Sequence, residues 1–351
     1  MPENHSTYPD SRPTPPATGA ISRTTALDHG PNVQASHEVA LPDHFVAPVL
    51  ESQGRAGIEH QLDGKPSNLW RDAWATLRRN PVFIVSALLM LFVLFVAAFP
   101  GVFTSAEPSS GCELANANAG AAPGHPLGFT NQGCDILSRV VHGTGPSVLV
   151  GMGTTAGVVL VGGLLGALAG YFGGWVDAVI SRFMDIFFAL PLILGAIVLM
   201  QVPYMRENRG VATLVLTLVI FGWPSIARIT RSSVIAVRGA DFITAARSLG
   251  MGRMGILFKH VLPNAAGPVI VIATISLGTF IVAESTLSFL GIGLPGEAMS
   301  WGNDIAAARP QLRTNPETLL WPSLMLSITV LSFIMMGDSL RDALDPKGRT
   351  K

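Results

Sequence analysis

Charge is what this chain has least of: only 13% of its 351 residues are Asp, Glu, Lys or Arg, while 49% are hydrophobic. A water-soluble domain carries about 25% charged residues, so the composition excludes one, and the mean hydropathy of +0.45 agrees. The 23 Lys and Arg are balanced by 23 Asp and Glu, which leaves no bulk field to hold nucleic acid, and no nucleic-acid partner is expected. Catalytic signatures are missing too. No G-x-x-x-x-G-K-[ST] phosphate loop occurs, so the chain lacks the usual means of hydrolysing ATP. The eight histidines form no H-E-x-x-H, five of them (His5, His29, His37, His44 and His60) lie before residue 64, and there is no G-x-S-x-G elbow. Gly250, Gly252 and Gly255 satisfy G-x-G-x-x-G, but no strand precedes them and no acidic residue follows at the distance a dinucleotide site needs. No catalytic residue, no metal site and no cofactor of its own is expected.

Long apolar runs are what the chain does have. A spanning helix needs about 20 mostly apolar residues, because the hydrocarbon layer is about 30 Å thick and a helix rises about 1.5 Å per residue. Six segments qualify: Pro81–Phe103, Ser147–Phe172, Val179–Gln201, Gly210–Ile229, Gly267–Leu290 and Leu319–Gly337. The expected fold is therefore an all-α polytopic membrane protein in the lipid bilayer. Residues 1–64, rich in Pro, Ser, Thr and His without apolar period, read as a disordered tail, and 65–80 as a juxtamembrane segment. No basic region joined to an apolar core begins the chain, so no cleaved signal peptide is expected. The first span covers 81–103, an extracytoplasmic loop covers 104–146, the core with a polar loop at 230–266 covers 147–337, and 338–351 form a tail.

Orientation follows from Lys and Arg, which are retained on the cytoplasmic side. With both termini inside, the inner flanks hold 15 of them, from Lys65 to Lys351, and the outer loops hold only Arg139, Arg206, Arg209, Arg309 and Arg313. The expected location is the cytoplasmic (inner) membrane. Close helix contact in lipid needs small residues at spacing four. The second span supplies Gly162, Gly166 and Gly170 after Gly153 and Gly157, which favours packing within the bundle over a pathway lining.

The polar loop has its own physics. Asp241 is placed to cap a short helix. Phe242, Ala245, Ala246 and Leu249 then share a side at spacings of three and four, a compact apolar face that a groove could accept. Gly250 takes a positive φ and ends the helix. A second short helix, from about Arg253 through His260 to Val261, returns the chain to the membrane, where Pro263 marks a stop.

The run Asp241–Gly250 written as x-Ala-Ala-x3-Gly, followed by His260-x-Leu262-Pro263, resembles the coupling loop of permeases in bacterial ATP-binding-cassette (ABC) importers. Further segments narrow the resemblance: His125-Pro126-Leu127-Gly128, Asp135 to Arg139, Gly174-Trp175-Val176-Asp177, Leu287 to Gly293, Ser300-Trp301-Gly302-Asn303 and Gly337 to Pro346. Together they are similar to the second permease subunit of the dipeptide/oligopeptide importers, whose nickel-transporting members are relatives, across residues from about 70 to 348. Thr244 stands where the broader motif has Glu, and Cys134 where the peptide-permease pattern has a basic residue. The resemblance implies a type I importer fold, a homologous permease partner, two cytoplasmic ATPase subunits that bind ATP and Mg, and an extracytoplasmic substrate-binding protein. The expected cargo is a di- or oligopeptide, with nickel or another small solute as the alternative. An intramembrane hydrolase and a scaffold are the remote ones.

Three further sites stand out. Glu284 lies within an apolar span, where an ionisable group is costly; a place on the translocation path and a role in helix pairing both remain open. Cys112 and Cys134, the only cysteines, share the outer loop, and a disulfide is expected in an oxidising compartment. Arg182 and Asp185 are spaced to pair at i,i+3 near Asp177.

Overall fold

The computed structural model describes residues 69–344; the readings for residues 1–68 and 345–351 lie outside them. Every extended element among the described residues is a helix, and the two isolated β-bridges, Ala122 with His125 and Phe129 with Asp135, sit in the segment before the second span.

The first helix, α1 (Leu69–Leu77), buries Ala73 and Leu77 against Ala343 near the end of the last helix, so the juxtamembrane segment is docked on the bundle. Asn80 then starts α2 (Pro81–Ala98): its side chain accepts from the Val82 N–H at 2.9 Å, and Pro81 occupies the first helical position, where its missing N–H is harmless. Eighteen residues reach about 27 Å. This span is shorter than the expected 81–103, because Phe99 breaks the helix and a 3₁₀ turn, Pro100–Val102, follows.

The second span, α3 (Ile136–Phe172), starts eleven residues earlier than the apolar run. Asp135 caps it, accepting from the Ser138 N–H at 2.6 Å, and Pro146 is carried inside the helix. The outer segment therefore ends at residue 135, not 146: the added turns bear Ser138, Arg139 and His142, so composition changed at 147 while the helix did not. Along α3 the glycines meet α7 (Val211–Arg238) in matching steps. A Cβ would fall 2.4 Å from the Trp223 carbonyl at Gly162, 2.3 Å from that of Ala227 at Gly166 and 2.7 Å from that of Arg231 at Gly170. Both sequences ascend together, so the two spans run parallel, backbone against backbone, and the stripe is a packing surface.

The third span corrects the expectation of one straight helix. Val179–Gln201 is split between α4 (Gly174–Phe188) and α5 (Leu192–Met200), bent by 80°. Pro191 lacks a donor and its ring drives Leu190 out of the helical region; hydropathy does not register that. A short helix α6 (Pro203–Glu207) leads to α7. After the loop helix α8 (Asp241–Ser248) come α9 (Arg253–Ile256), a π turn (Leu257–Val261) and α10 (Leu262–Phe289), which together form one continuous run. Pro263 is thus no stop. The Leu262 N–H reaches back to the Leu257 carbonyl, a wide turn that moves the Lys259 carbonyl away from the proline ring. The bundle closes with α11 (Trp301–Ala308) and α12 (Glu317–Leu344). Five helices among the described residues are long and apolar enough to cross a bilayer, and the bent pair supplies a sixth if taken as one span.

Two ends result. One carries residues 104–135, the start of α3 and α11; the other carries 239–261 and the end of α7.

Candidate functional site

The loop end is organised by α8. Its N-cap is Ala240, which makes no side-chain cap, so the expectation that Asp241 caps the helix is corrected. Asp241 is instead the first helical residue, where a carboxylate complements the positive end of the helix dipole. The expected apolar face divides in two. Ile243 and Ala246 are buried against Ala167, Val234, Leu257 and Ala265 of this same chain, whereas Phe242 is 46% and Leu249 88% exposed and Ala245 is open beside them. Ala246 is therefore an anchor, because successive helical residues turn by about 100° and two stripes, at 242/245/249 and 243/246, are distinct faces.

Helix α8 ends as glycine allows. Gly250 has φ +80°, its N–H donates to the Arg247 carbonyl at 3.0 Å, and the Met251 N–H donates to the Ala246 carbonyl at 3.2 Å. That pair of bonds is the Schellman arrangement, which needs a left-handed residue at this position. Beyond it Met254 and Phe258 are also exposed, extending the apolar surface. His260 lies in the π turn with its Nε2 buried and unbonded, and its carbonyl accepts from Asn264 at 2.7 Å; Pro263 is exposed.

Ion pairs hold the loop's root. Arg231 of α7 grips Asp177 of α4 through two bonds, at 2.5 and 2.7 Å. Arg238 donates to the Gly170 carbonyl at 2.7 Å, satisfying the end of α3. Asp185 is 3.8 Å from Arg182 and 3.6 Å from Arg228, whose guanidinium lies 4.0 Å above the Phe188 ring.

At the other end Cys112 and Cys134 are bridged, with sulfurs 2.10 Å apart. Glu284 is fully buried between helices, accepting from Ser288 at 2.8 Å and Ser285 at 3.1 Å; it does not line an open path in this structure. Arg139 donates to the buried Asp304 at 2.9 and 2.5 Å. Burial pushes the Asp304 carboxyl above its ordinary range, and the Arg139 guanidinium opposes that shift.

The family described as binding-protein-dependent transport system inner membrane component matches residues 162–350, and the N-terminal TM domain of oligopeptide transport permease C matches 68–119. The chain belongs to this family of transport permeases. It is 37% identical over 280 residues to the dipeptide transport system permease protein DppC of Alkalihalophilus pseudofirmus, covering 79% of this chain and 90% of that one. Identity is 32% over 309 residues to the oligopeptide transport system permease protein OppC of Bacillus subtilis (88% and 99% covered). It is 34% over 278 residues to the glutathione transport system permease protein GsiD of Pectobacterium atrosepticum (79% and 91%). A solved inward-facing form of the MetNI methionine ABC transporter shares the fold, with TM-score 0.50 and 21% identity over 59% of this chain and 96% of that one. The architecture is that of a type I ABC importer permease.

The permease is thus a multi-pass membrane transport subunit and not an enzyme, and its family implies permease and ATPase partners. Sequence reasoning missed Ile243 and the pair Met254 and Phe258. Ile243 was legible as the i−3 neighbour of Ala246; the other two belong to helical turns that only the continuous run from Arg253 aligns. The link between Asp177 and Arg231 spans 54 residues, and no local pattern announces it.

Proposed function

We propose that this chain is the inner-membrane permease of an ABC importer that forms, with a homologous permease, an alternating-access path for di- and oligopeptides. An extracytoplasmic binding protein delivers the cargo, and two separate cytoplasmic ATPase subunits bind ATP and Mg and drive the cycle. The peptide class is supported by its relatives, which serve dipeptides, oligopeptides and glutathione. Orientation is supported by the 15-to-5 asymmetry of Lys and Arg, which sets the loop end in the cytoplasm.

The observation that carries this reading is the open face of Phe242, Ala245 and Leu249 on a helix anchored from behind by Ile243 and Ala246. Apolar side chains held out rigidly need a partner groove to leave water. A push on α8 passes through its buried side to α3, α7 and α10, which is the coupling the importer requires.

Leu249→Asp tests it, because Leu249 touches little of its own chain and the charge would be buried only in the complex. Normal permease abundance with loss of ATPase co-purification and of peptide-dependent growth is expected; wild-type uptake would reject the docking role. Single cysteines at Ser110 and Ser248 should react oppositely with an impermeant maleimide, and labelling of Ser248→Cys from outside sealed cells would reverse the orientation.

A further inference from the structure

Helix α1 is held from one side only. Ala73 and Leu77 are packed with Ala343, and Phe83, Leu340 and Leu344 close round them, so this nine-residue helix is fixed to the start of α2 and the end of α12. Alone in water it would not hold itself. Successive residues step by about 100°, which sets Arg71, Ala75 and Arg78 opposite the buried pair and Trp74 on the flank. All four are exposed. The seven residues from Arg71 to Arg78 span about 10 Å along one face.

The depth of that face in the membrane is given by Trp74. Its ring meets Phe83 of α2 edge-on, with centroids 6.3 Å apart, beside Val82, Ile84 and Val85, which are exposed at the start of the span. An indole at the first turn of a span sits at the boundary between hydrocarbon and headgroups. A Cβ at Gly267 would lie 3.8 Å from Leu344, so α1 is at the end from which α10 rises, the loop end. Arg71 and Arg78 stand three and four residues to either side of the indole, and Arg79 follows, exposed. None of the three makes an ion pair among the described residues. Asp338, Arg341 and Asp342 are exposed on α12 without pairing to them, and Asp72 is stepped about 100° round the helix from Arg71. A guanidinium binds phosphate through two parallel N–H donors, and two unpaired ones at headgroup depth are complementary to an anionic lipid surface.

We propose that α1 is an interfacial helix whose Arg71 and Arg78 hold anionic phospholipid headgroups, with Trp74 seated at the boundary below them. The contact braces the start of α2 and the end of α12 at the membrane surface. The occupant is a lipid because the face lies beside lipid-exposed side chains of α2 and carries an indole, for which a free phosphate has no use. Headgroup binding requires neither transport nor a given orientation, so failure of the importer reading leaves it standing.

The test uses the full-length permease in neutral detergent, titrated with phosphatidylglycerol or with phosphatidylcholine. A maleimide fluorophore on Ala75→Cys, between the two arginines, reports binding; the native cysteines are bridged and do not react. Emission should shift and saturate with phosphatidylglycerol and respond little to phosphatidylcholine. Arg71→Gln combined with Arg78→Gln should raise the half-saturating phosphatidylglycerol about twenty-fivefold, or about fivefold for each arginine at an anionic surface. Phosphatidylglycerol retained through purification, measured by mass spectrometry, should fall with it. An equal response to both lipids, or an unchanged midpoint in the double variant, would overturn the headgroup site. Displacement of the lipid by inorganic phosphate at matched ionic strength would overturn the lipid as occupant. If the double variant fails to accumulate, salt carries the decision on the unmodified arginines: screening shortens from about 10 Å at 0.1 M to about 3 Å at 1 M, and a preference for phosphatidylglycerol that survives this change would overturn the site.

Discussion

At the disulfide end, Trp301, Glu284 and Asp304 are all buried and each meets a partner within the chain. At the loop end, Leu249 and Phe242 stand open while only Ile243 and Ala246 are covered. The first end satisfies its polar groups with internal bonds, whereas the second leaves an apolar face uncovered and roots it from behind, as the proposed docking of α8 requires.

The comparison is broken most severely by removing the wedge of the closed end. Trp301→Ala should cost about 3–5 kcal/mol, the usual range for a large buried aromatic, and should be read as a large fall in thermal stability in detergent and in membrane abundance. If abundance and melting stay at wild-type values, α11 is not a docked element.

Next comes Ala246→Glu, which sharpens the division within α8. Because Ala246 faces its own chain, an unpaired charge there should cost several kcal/mol of loop stability, so permease abundance should fall together with uptake. Leu249→Asp should lose uptake alone. Equal abundance for both variants would show that the two faces of α8 are not distinct.

Replacing both Cys112 and Cys134 by Ser removes a bridge across 22 residues, worth about 3 kcal/mol in the chain-entropy model. The loss should be confined to the outer segment, seen as faster proteolysis of 104–135 with the spans intact. Mass spectrometry of non-reduced peptides from native membranes checks the premise, since two free thiols there would remove it.

The smallest effect is expected from Gly250→Val. The added Cβ meets nothing within 4 Å, so the cost is the left-handed backbone alone, about 1–2 kcal/mol. Coupling should weaken through a displaced Leu249, with ATPase co-purification reduced but not lost. An unaltered ATPase affinity would show that the helix stop is not needed.

Much of this was legible from composition and spacing. The spans beginning at Pro81 and Val211 needed only hydropathy, and Gly250 needed only the rule that a left-handed residue ends a helix. Where the reading failed, a local rule met a non-local cause. The start of α3 at Ile136 was hidden because Ser138, Arg139 and His142 look like loop until Asp135 is seen to cap them. The break at Pro191 was hidden by an unbroken apolar run, and the continuity through Pro263 by a π turn that hydropathy cannot signal. The face of α8 was drawn as one stripe because Ala246 is apolar on either side; only contact with Ala167 and Val234 decides which side is inside.

The amino-acid sequence by itself determined the membrane as solvent, the family, the orientation expected from Lys and Arg and the glycine stripe that lets two backbones touch. These depend on composition and on residues a few positions apart, where helix period and transfer free energy act directly. Only the tertiary structure decided that Ile243 and Ala246 anchor α8 while Leu249 is free, that Asp177 answers Arg231, and that Trp301 of α11 reaches Ser147 and Val140 of α3. Ser147 and Trp301 stand 154 residues apart. Which groups a buried tryptophan reaches is set by how helices cross, and crossing is a property of the packed bundle.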